Sequence, residues 1–233
     1  MIGTDEIHIW RFDLPGDRYP DARRFLDESE LQRADRFAFE PDRNRFERSR
    51  YCLRHILALY LKIDPRQIQI VVGPHGKPLL RPEENFGFNL SHSGDHGILA
   101  IGRGAEIGID IETTIAPRDI RRLAQSVFST DEKKTLDAIA DDALTGPFFT
   151  CWTRKEAYLK AIGLGFTIDP KSITVGINAG RRRIGIDGGR MNQFVDVATI
   201  ITEDACIASF AVVSGYSTLR FFKYPLAPNL DSF

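Results

Sequence analysis

Cysteine is scarce. Cys52, Cys151 and Cys206 are the only three in 233 residues, widely spaced and odd in number. They offer no disulfide framework and fit no zinc-ligand spacing. Each sits in an apolar stretch and reads as core, so a reducing cytoplasm is the expected compartment. Long apolar runs are also missing. The longest, Ile56 to Leu61, falls far short of the roughly 20 residues a membrane helix needs. The charged N-terminus, Met1 to Trp10, does not read as a signal peptide. Excess charge is absent: 31 Lys and Arg stand against 32 Asp and Glu, for a net −1. A nucleic-acid module would carry a dominant basic footprint, so that partner is not expected. Lysine is the scarcer base, with 8 of the 31, which leaves 23 arginines. The arginine fork suits phosphate and carboxylate, although a surface arginine usually contributes little.

What remains is an ordinary globular composition, 42% hydrophobic and 27% charged, sized for one large domain or two small ones sharing a core. Alternation predicts a first strand around Ile7, Ile9 and Phe12. A loop with Pro15, Gly16 and Pro20 follows. Three- and four-residue spacing predicts a helix over 22–40, broken at Pro41, and a second over 43–62. Strands are expected at 67–72, 85–90, 98–101 and 107–112, with a turn at His75-Gly76-Lys77-Pro78 and a polar loop over 91–97. Helices follow at 117–128, after a Ser129/Glu132 capping box, and from Gly146-Pro147 to Gly163. Strands close the chain at 172–177, 194–201, 206–213 and 218–223. The order strand, helices, strands occurs twice. It suggests an α+β fold of two similar halves, 1–103 and 104–233, without a clear sequence repeat.

Four stretches could carry chemistry. In Gly108-Ile109-Asp110-Ile111-Glu112, strand geometry puts Ile107, Ile109 and Ile111 on one face. Asp110 and Glu112 are then forced onto the other, about 7 Å apart. Two such carboxylates suit Mg²⁺, which takes one or two of them plus phosphate oxygens and water; a solvated acidic strand face would alternate in the same way. Trp152, Glu156 and Lys160 share one helix face. An acid beside an aromatic ring is costly unless paired or metal-bound; an ordinary Glu156–Lys160 surface pair is the plainer alternative. Phe88-Asn89-Leu90-Ser91-His92-Ser93 is not a serine-hydrolase site, because neighbouring Ser91 and His92 side chains diverge and no Gly-x-Ser-x-Gly elbow is present. Phosphate binding is the better use for it. The arginines 33, 36, 43, 45, 48 and 50 crowd the N-terminal helices among interleaved acids, and one or two could grip a phosphate.

Taken in order, Gly-Lys-Pro, Phe-Asn-Leu-Ser-His-Ser, Gly-Ile-Asp-Ile-Glu and Trp-x-x-Lys-Glu-Ala-x-x-Lys resemble the 4′-phosphopantetheinyl transferase superfamily, in its longer, Sfp-type (surfactin-synthetase-activating) branch. The resemblance runs over residues 30–166. It implies two pseudo-symmetric halves, the first for coenzyme A and the second for metal and catalysis, with the active site between them in a monomer. It implies transfer of the phosphopantetheine arm of coenzyme A to a serine of an apo acyl or peptidyl carrier protein, with release of adenosine 3′,5′-bisphosphate. Asp110, Glu112 and Glu156 match the family's magnesium ligands, and Glu156 also the proposed base. Lys155 and Lys160 match lysines on the diphosphate, Lys160 with a catalytic share. Ser91 and His92 match phosphate contacts, Gly76, Lys77 and Pro78 the adenosine side, and Arg45 a holder of the 3′-phosphate. Carrier docking is expected near Leu164 and Phe166. Two departures stand out: Glu30 occupies a place where a basic residue is expected, and Ile111 lies between the strand carboxylates. A metal-dependent phosphohydrolase acting on a nucleotide diphosphate would use the same carboxylates with water as nucleophile.

Overall fold

The computed structural model describes residues 2–15, 19, 21–73, 75–81, 84–115, 117, 119–186, 193–201 and 205–225. Gly16 and Pro20 of the first loop lie outside these, as does the side chain of Phe166.

Strand β1 (Glu6–Asp13) opens the chain. Helix α1 (Glu28–Ala34) starts at a capping box formed by Asp27 and Glu30, and α2 (Glu40–Leu61) starts with Pro41 in its first turn. The short strands β2 (Ile70–Val72) and β3 (Pro78–Leu80) pair with each other. Then come β4 (Phe86–Ser93), β5 (His96–Arg103) and β6 (Ile107–Thr113). Helices α3 (Ile120–Val127), α4 (Thr130–Asp137) and α5 (Thr145–Ile162) follow. The chain ends in β7 (Arg181–Gly185), β8 (Phe194–Ile201), β9 (Cys206–Val213) and β10 (Thr218–Tyr224). The class is α+β, as expected.

Two four-stranded sheets form, in the orders β10-β1-β5-β4 and β6-β9-β8-β7. Helix α2 covers the first, burying Leu53, Ile56 and Leu57 against Trp10, Leu99 and Ile101. Helix α5 covers the second, with Phe148, Tyr158 and Leu159 against Val195, Val197 and Ala211. Between the sheets, Ile107, Ile109 and Ile111 meet Ile7, Ile9, Ile98 and Phe210. Each buried isoleucine is worth roughly 1.5–3 kcal/mol. Three of them decide which face of β6 turns inward, since a one-residue slip would expose them all. The other face of β6 lies under α5, and Gly108 makes that approach possible: a Cβ there would stand 2.0 Å from the Ala157 carbonyl oxygen and 2.4 Å from the Ala161 nitrogen.

Several boundaries differ from expectation. The helix expected over 22–40 splits into a short 3₁₀ turn and α1, because the Asp27–Glu30 capping box starts a new helix. The expected loop at 91–97 is a tight hairpin: β4 runs through Ser93 and β5 begins at His96. No strand forms at 172–177. The Ile173 and Val175 carbonyls there accept from Lys155 and Arg154, and the Val175 and Gly176 N–H groups donate to Glu132, so side chains replace a ladder. Strand β7 was not foreseen. The last strand also crosses the expected division at 103/104: β10 pairs in parallel with β1 at the edge of the first sheet.

Candidate active site

Strands β4 and β6 are the neighbouring edges of the two sheets, and side chains join them. Asn89 Oδ1 accepts from the Ile109 N–H at 2.8 Å. Ser91 Oγ donates to Asp110 Oδ1 at 2.9 Å, and Ser93 Oγ to Glu112 Oε2 at 2.7 Å. Alternate residues of β4 thus bridge to β6: Asn89 to the Ile109 backbone, Ser91 and Ser93 to the carboxylates of its other face. Helix α5 closes the third side. Lys160 Nζ lies 2.6 Å from Asp110 Oδ1 and also donates to Ser91 Oγ and to the Ile109 carbonyl. Lys160 therefore turns to the strand carboxylate, and the plain Glu156–Lys160 surface pair is not what forms.

Burial pushes the Asp110 carboxyl above its ordinary range, against the pull of Lys160 and Ser91. Glu112 is raised by burial and then by Asp110, while Ser93, Lys160 and Trp152 oppose the rise. Glu156 is raised by burial, by Asp110 and by Glu112. Asp110 raises both Glu112 and Glu156, and Glu112 also raises Glu156, so each of these carboxylates opposes the ionisation of its neighbours. Asp110 Oδ2 is buried without a hydrogen-bond partner, which is expensive for a carboxylate oxygen. A divalent cation would relieve both costs. Among the described residues no three His, Cys, Asp or Glu side chains form a ready-made cage. Mg²⁺ commonly takes one or two carboxylates and completes its shell with water and phosphate oxygens. The donor set fits such an ion.

Beside the carboxylates runs a groove made of three cavities that share Arg33, Arg50 and Pro78. One of about 730 Å³ also includes Arg36, Phe46 and Gly76. A second of about 220 Å³ includes Ser91 and His92. The third, of about 330 Å³, reaches Glu156 and Lys160. The cations along it suit an anion. Arg33 and Arg50 both stack on the Phe46 ring, each guanidinium carbon 5.3 Å from its centre. Arg50 Nε is buried without a hydrogen bond, in a loose ion pair 3.8 Å from Glu30 Oε1. His92, whose side chain reaches solvent, is held below its ordinary pKa by partial burial and then by Arg50, Lys160, Arg45 and Arg33.

Three residues go elsewhere. Lys155 is 1% exposed on the far side of α5, with its Nζ 2.7 Å from Glu132 and donating to the Pro170 and Ile173 carbonyls. Its position right beside Glu156 in sequence turns it about 100° away, because α5 is helical. Lys77 Nζ donates inward to the Ile107 and Ala161 carbonyls, so the Gly76-Lys77-Pro78 turn presents backbone, not an ammonium, to the groove. Arg45 is tied to Asp42 and Asp95 and does not border these cavities; Arg33 and Arg50 take that place. Glu30 is accounted for: it caps α1 and accepts from buried Arg54 at 2.7 Å. The sequence reading missed Arg50's inward position and the roles of Asn89 and Ser93. Their two-residue spacing becomes a signal once 91–93 is read as strand.

Residues 106–207 match the 4′-phosphopantetheinyl transferase superfamily, and residues 15–103 match the N-terminal region of a 4′-phosphopantetheinyl transferase family. The chain is 39% identical over 167 residues to the 4′-phosphopantetheinyl transferase HetI of Nostoc sp., covering 70% of each chain. The chain belongs to the 4′-phosphopantetheinyl transferase superfamily. A putative 4′-phosphopantetheinyl transferase of Synechocystis sp. is 32% identical over 196 residues, 83% of this chain and 79% of that one. The human L-aminoadipate-semialdehyde dehydrogenase-phosphopantetheinyl transferase is 27% identical over 207 residues, 80% of this chain and 67% of that one. Membership makes the chain an enzyme of this transferase class. Among the described residues, no helix is long and apolar enough to cross a membrane.

Proposed function

We propose that this phosphopantetheinyl transferase moves the phosphopantetheine arm of coenzyme A to a serine of an apo carrier protein, at a magnesium site held by Asp110, Glu112 and Glu156. The observation that carries the reading is Asp110: buried, one oxygen tied to Lys160 and Ser91, the other without a partner, facing two further raised carboxylates. The cation, when bound, supplies positive charge that offsets the diphosphate and the charge growing on its leaving oxygen. Lys160 lies within reach of the same diphosphate. Arg33, Arg50 and His92 line the groove for the 3′-phosphate, with Ser91 beside them. The backbone of residues 76–78 provides a flat wall for the adenosine.

The serine hydroxyl of the carrier is a weak nucleophile at neutral pH and needs a base. Glu156 fills that role, directly or through a water. Its raised pKa brings it nearer the working pH, where a carboxylate base is most effective. The serine oxygen bonds to the phosphorus of the arm, the bond from that phosphorus to the leaving oxygen breaks, and adenosine 3′,5′-bisphosphate departs. The first sheet with α2 serves coenzyme A, and β6 with α5 serves the metal and the base. One chain supplies every residue named, so a monomer suffices. Three buried free cysteines suit a reducing cytoplasm.

Incubation of an apo carrier with the enzyme, coenzyme A and Mg²⁺, followed by mass spectrometry of the carrier, tests the reading. The carrier should gain the phosphopantetheine mass, and Glu156→Gln should lose transfer while staying folded. Nucleotide release that ignores the carrier would point to a phosphohydrolase instead.

A further inference from the structure

Both strand carboxylates are held in the same way. Ser91 Oγ donates to one oxygen of Asp110, and two residues along each strand Ser93 Oγ donates to one oxygen of Glu112. Ser93 also accepts from the Thr113 N–H at 3.2 Å. A serine hydroxyl has one hydrogen. With the Thr113 N–H occupying a lone pair, that hydrogen is directed at Glu112 Oε2. Thr113 Oγ1, 3.4 Å away, is a weaker neighbour. Glu112 is a longer, half-buried side chain whose carboxylate also neighbours Trp152. Asp110, shorter and 5% exposed, is confined by packing.

We infer that Ser93 is a positioning residue for Glu112: its hydroxyl fixes one carboxylate oxygen and leaves the other to the cation. The inference rests on the magnesium reading above. Ser93 touches neither coenzyme A nor the reacting atoms in this scheme and acts only through Glu112. Groups that orient metal ligands in this way commonly contribute 10–100-fold to metal affinity.

The test is a Mn²⁺ titration, followed by the electron paramagnetic resonance signal of the free ion, with coenzyme A present and no carrier, so that nothing turns over. Ser93→Ala should bind Mn²⁺ about 10-fold more weakly or worse, and Ser93→Thr, which keeps the hydroxyl, should stay close to wild type. In steady state, Ser93→Ala should need more metal for half-maximal rate, recover its kcat at saturating metal, and keep its KM for the carrier. A merely structural role would lower kcat at every metal concentration and would show in the melting temperature. If Ser93→Ala does not fold, Ser93→Cys keeps the volume with a weaker donor and carries the same expectation. Wild-type affinity in these variants overturns the inference while leaving the magnesium site intact. A wild-type enzyme that binds no Mn²⁺ overturns the magnesium reading itself.

Discussion

Lys155 separates a structural lysine from a substrate-binding one. Its ammonium and the Glu132 carboxylate are 2.7 Å apart, and each side chain is 1% exposed. Glu132 also accepts from the N–H groups of Ser129, Val175 and Gly176. Burial pushes Glu132 up, yet Lys155 and these donors hold it below its ordinary pKa. Replacing Lys155 with Met keeps the stem and removes the charge. It leaves Glu132 buried with no counter-ion and the Pro170 and Ile173 carbonyls without a donor. Removing one partner of a buried pair costs about 3–5 kcal/mol. For a chain of this size that is a fall of roughly 6–20 °C in melting temperature. Thermal melts and steady-state kinetics at a temperature where the variant is folded make the assay. Lys155→Met should melt much earlier, with its KM for coenzyme A close to wild type. Lys160→Met should raise the KM for coenzyme A, and should also cost stability, because its partner Asp110 is buried. A Lys155→Met variant with unchanged melting and a tenfold higher KM would refute the assignment. The pair has a pH signature as well. Glu132 has its folded pKa depressed, so its contribution is complete above about pH 4.5 and is lost as pH falls through the folded value.

Gly108→Ala should destabilise the fold by about 1–3 kcal/mol, since its Cβ would press on the α5 backbone; transfer should fall further than the folded fraction does, because Glu156 and Lys160 ride on that helix, and equal losses would count against the packing argument. Arg50→Met should raise the KM for coenzyme A by roughly 10-fold or more, as expected for a lost charge-assisted bond; dephospho-coenzyme A, which lacks the 3′-phosphate, should be spared, and an equal effect on both would remove Arg50 from that phosphate. Burial pulls Lys77 down to about 8 from the ordinary 10.5, so between those values the unfolded chain holds the extra proton and this group's contribution to stability rises with pH. Denaturant melts of wild type and Lys77→Met should therefore diverge in favour of wild type by up to about 3 kcal/mol from pH 8 to 10.5; a constant difference would show that the two carbonyls keep Lys77 charged.

The parts legible in the sequence are those ruled by short-range periodicity. Three isoleucines at two-residue spacing placed the β6 carboxylates on one face, and four-residue steps aligned Trp152, Glu156 and Lys160 on α5. What escaped was long-range. Nothing local tells that β10 returns to β1, 212 positions away at Glu6 and Thr218. Ile173 and Val175 have a strand's composition and are buried as a strand would be. Their backbone is satisfied instead by Glu132, Arg154 and Lys155, residues from other segments. Lys155 misled for a related reason: the family motif contains it, but only a helix in place shows that its side chain leaves the groove. The resemblance pointed to Arg45, but α2 turns Arg45 towards Asp95 and Arg50 towards Phe46.

The seam between the two sheets ties these observations together. Two exposed strand edges laid side by side would ordinarily pair backbone to backbone, at about 4.8 Å. Here β4 and β6 belong to different sheets, and the edge N–H groups of Ile109 and Thr113 are met by the Asn89 and Ser93 side chains. These side-chain bridges occupy two of the β6 edge donors and cover that edge. Asp110, buried, and Glu112, half-buried, stand between β4 and α5 where the cationic groove of the first sheet meets the acids of the second. A continuous eight-stranded sheet of the same residues would gain hydrogen bonds and lose the cleft. The polar alternation of Asn89, Ser91 and Ser93 is therefore the feature that joins fold to the proposed chemistry: the same side chains that link the two sheets also hold Asp110 and Glu112, the carboxylates proposed to bind the cation.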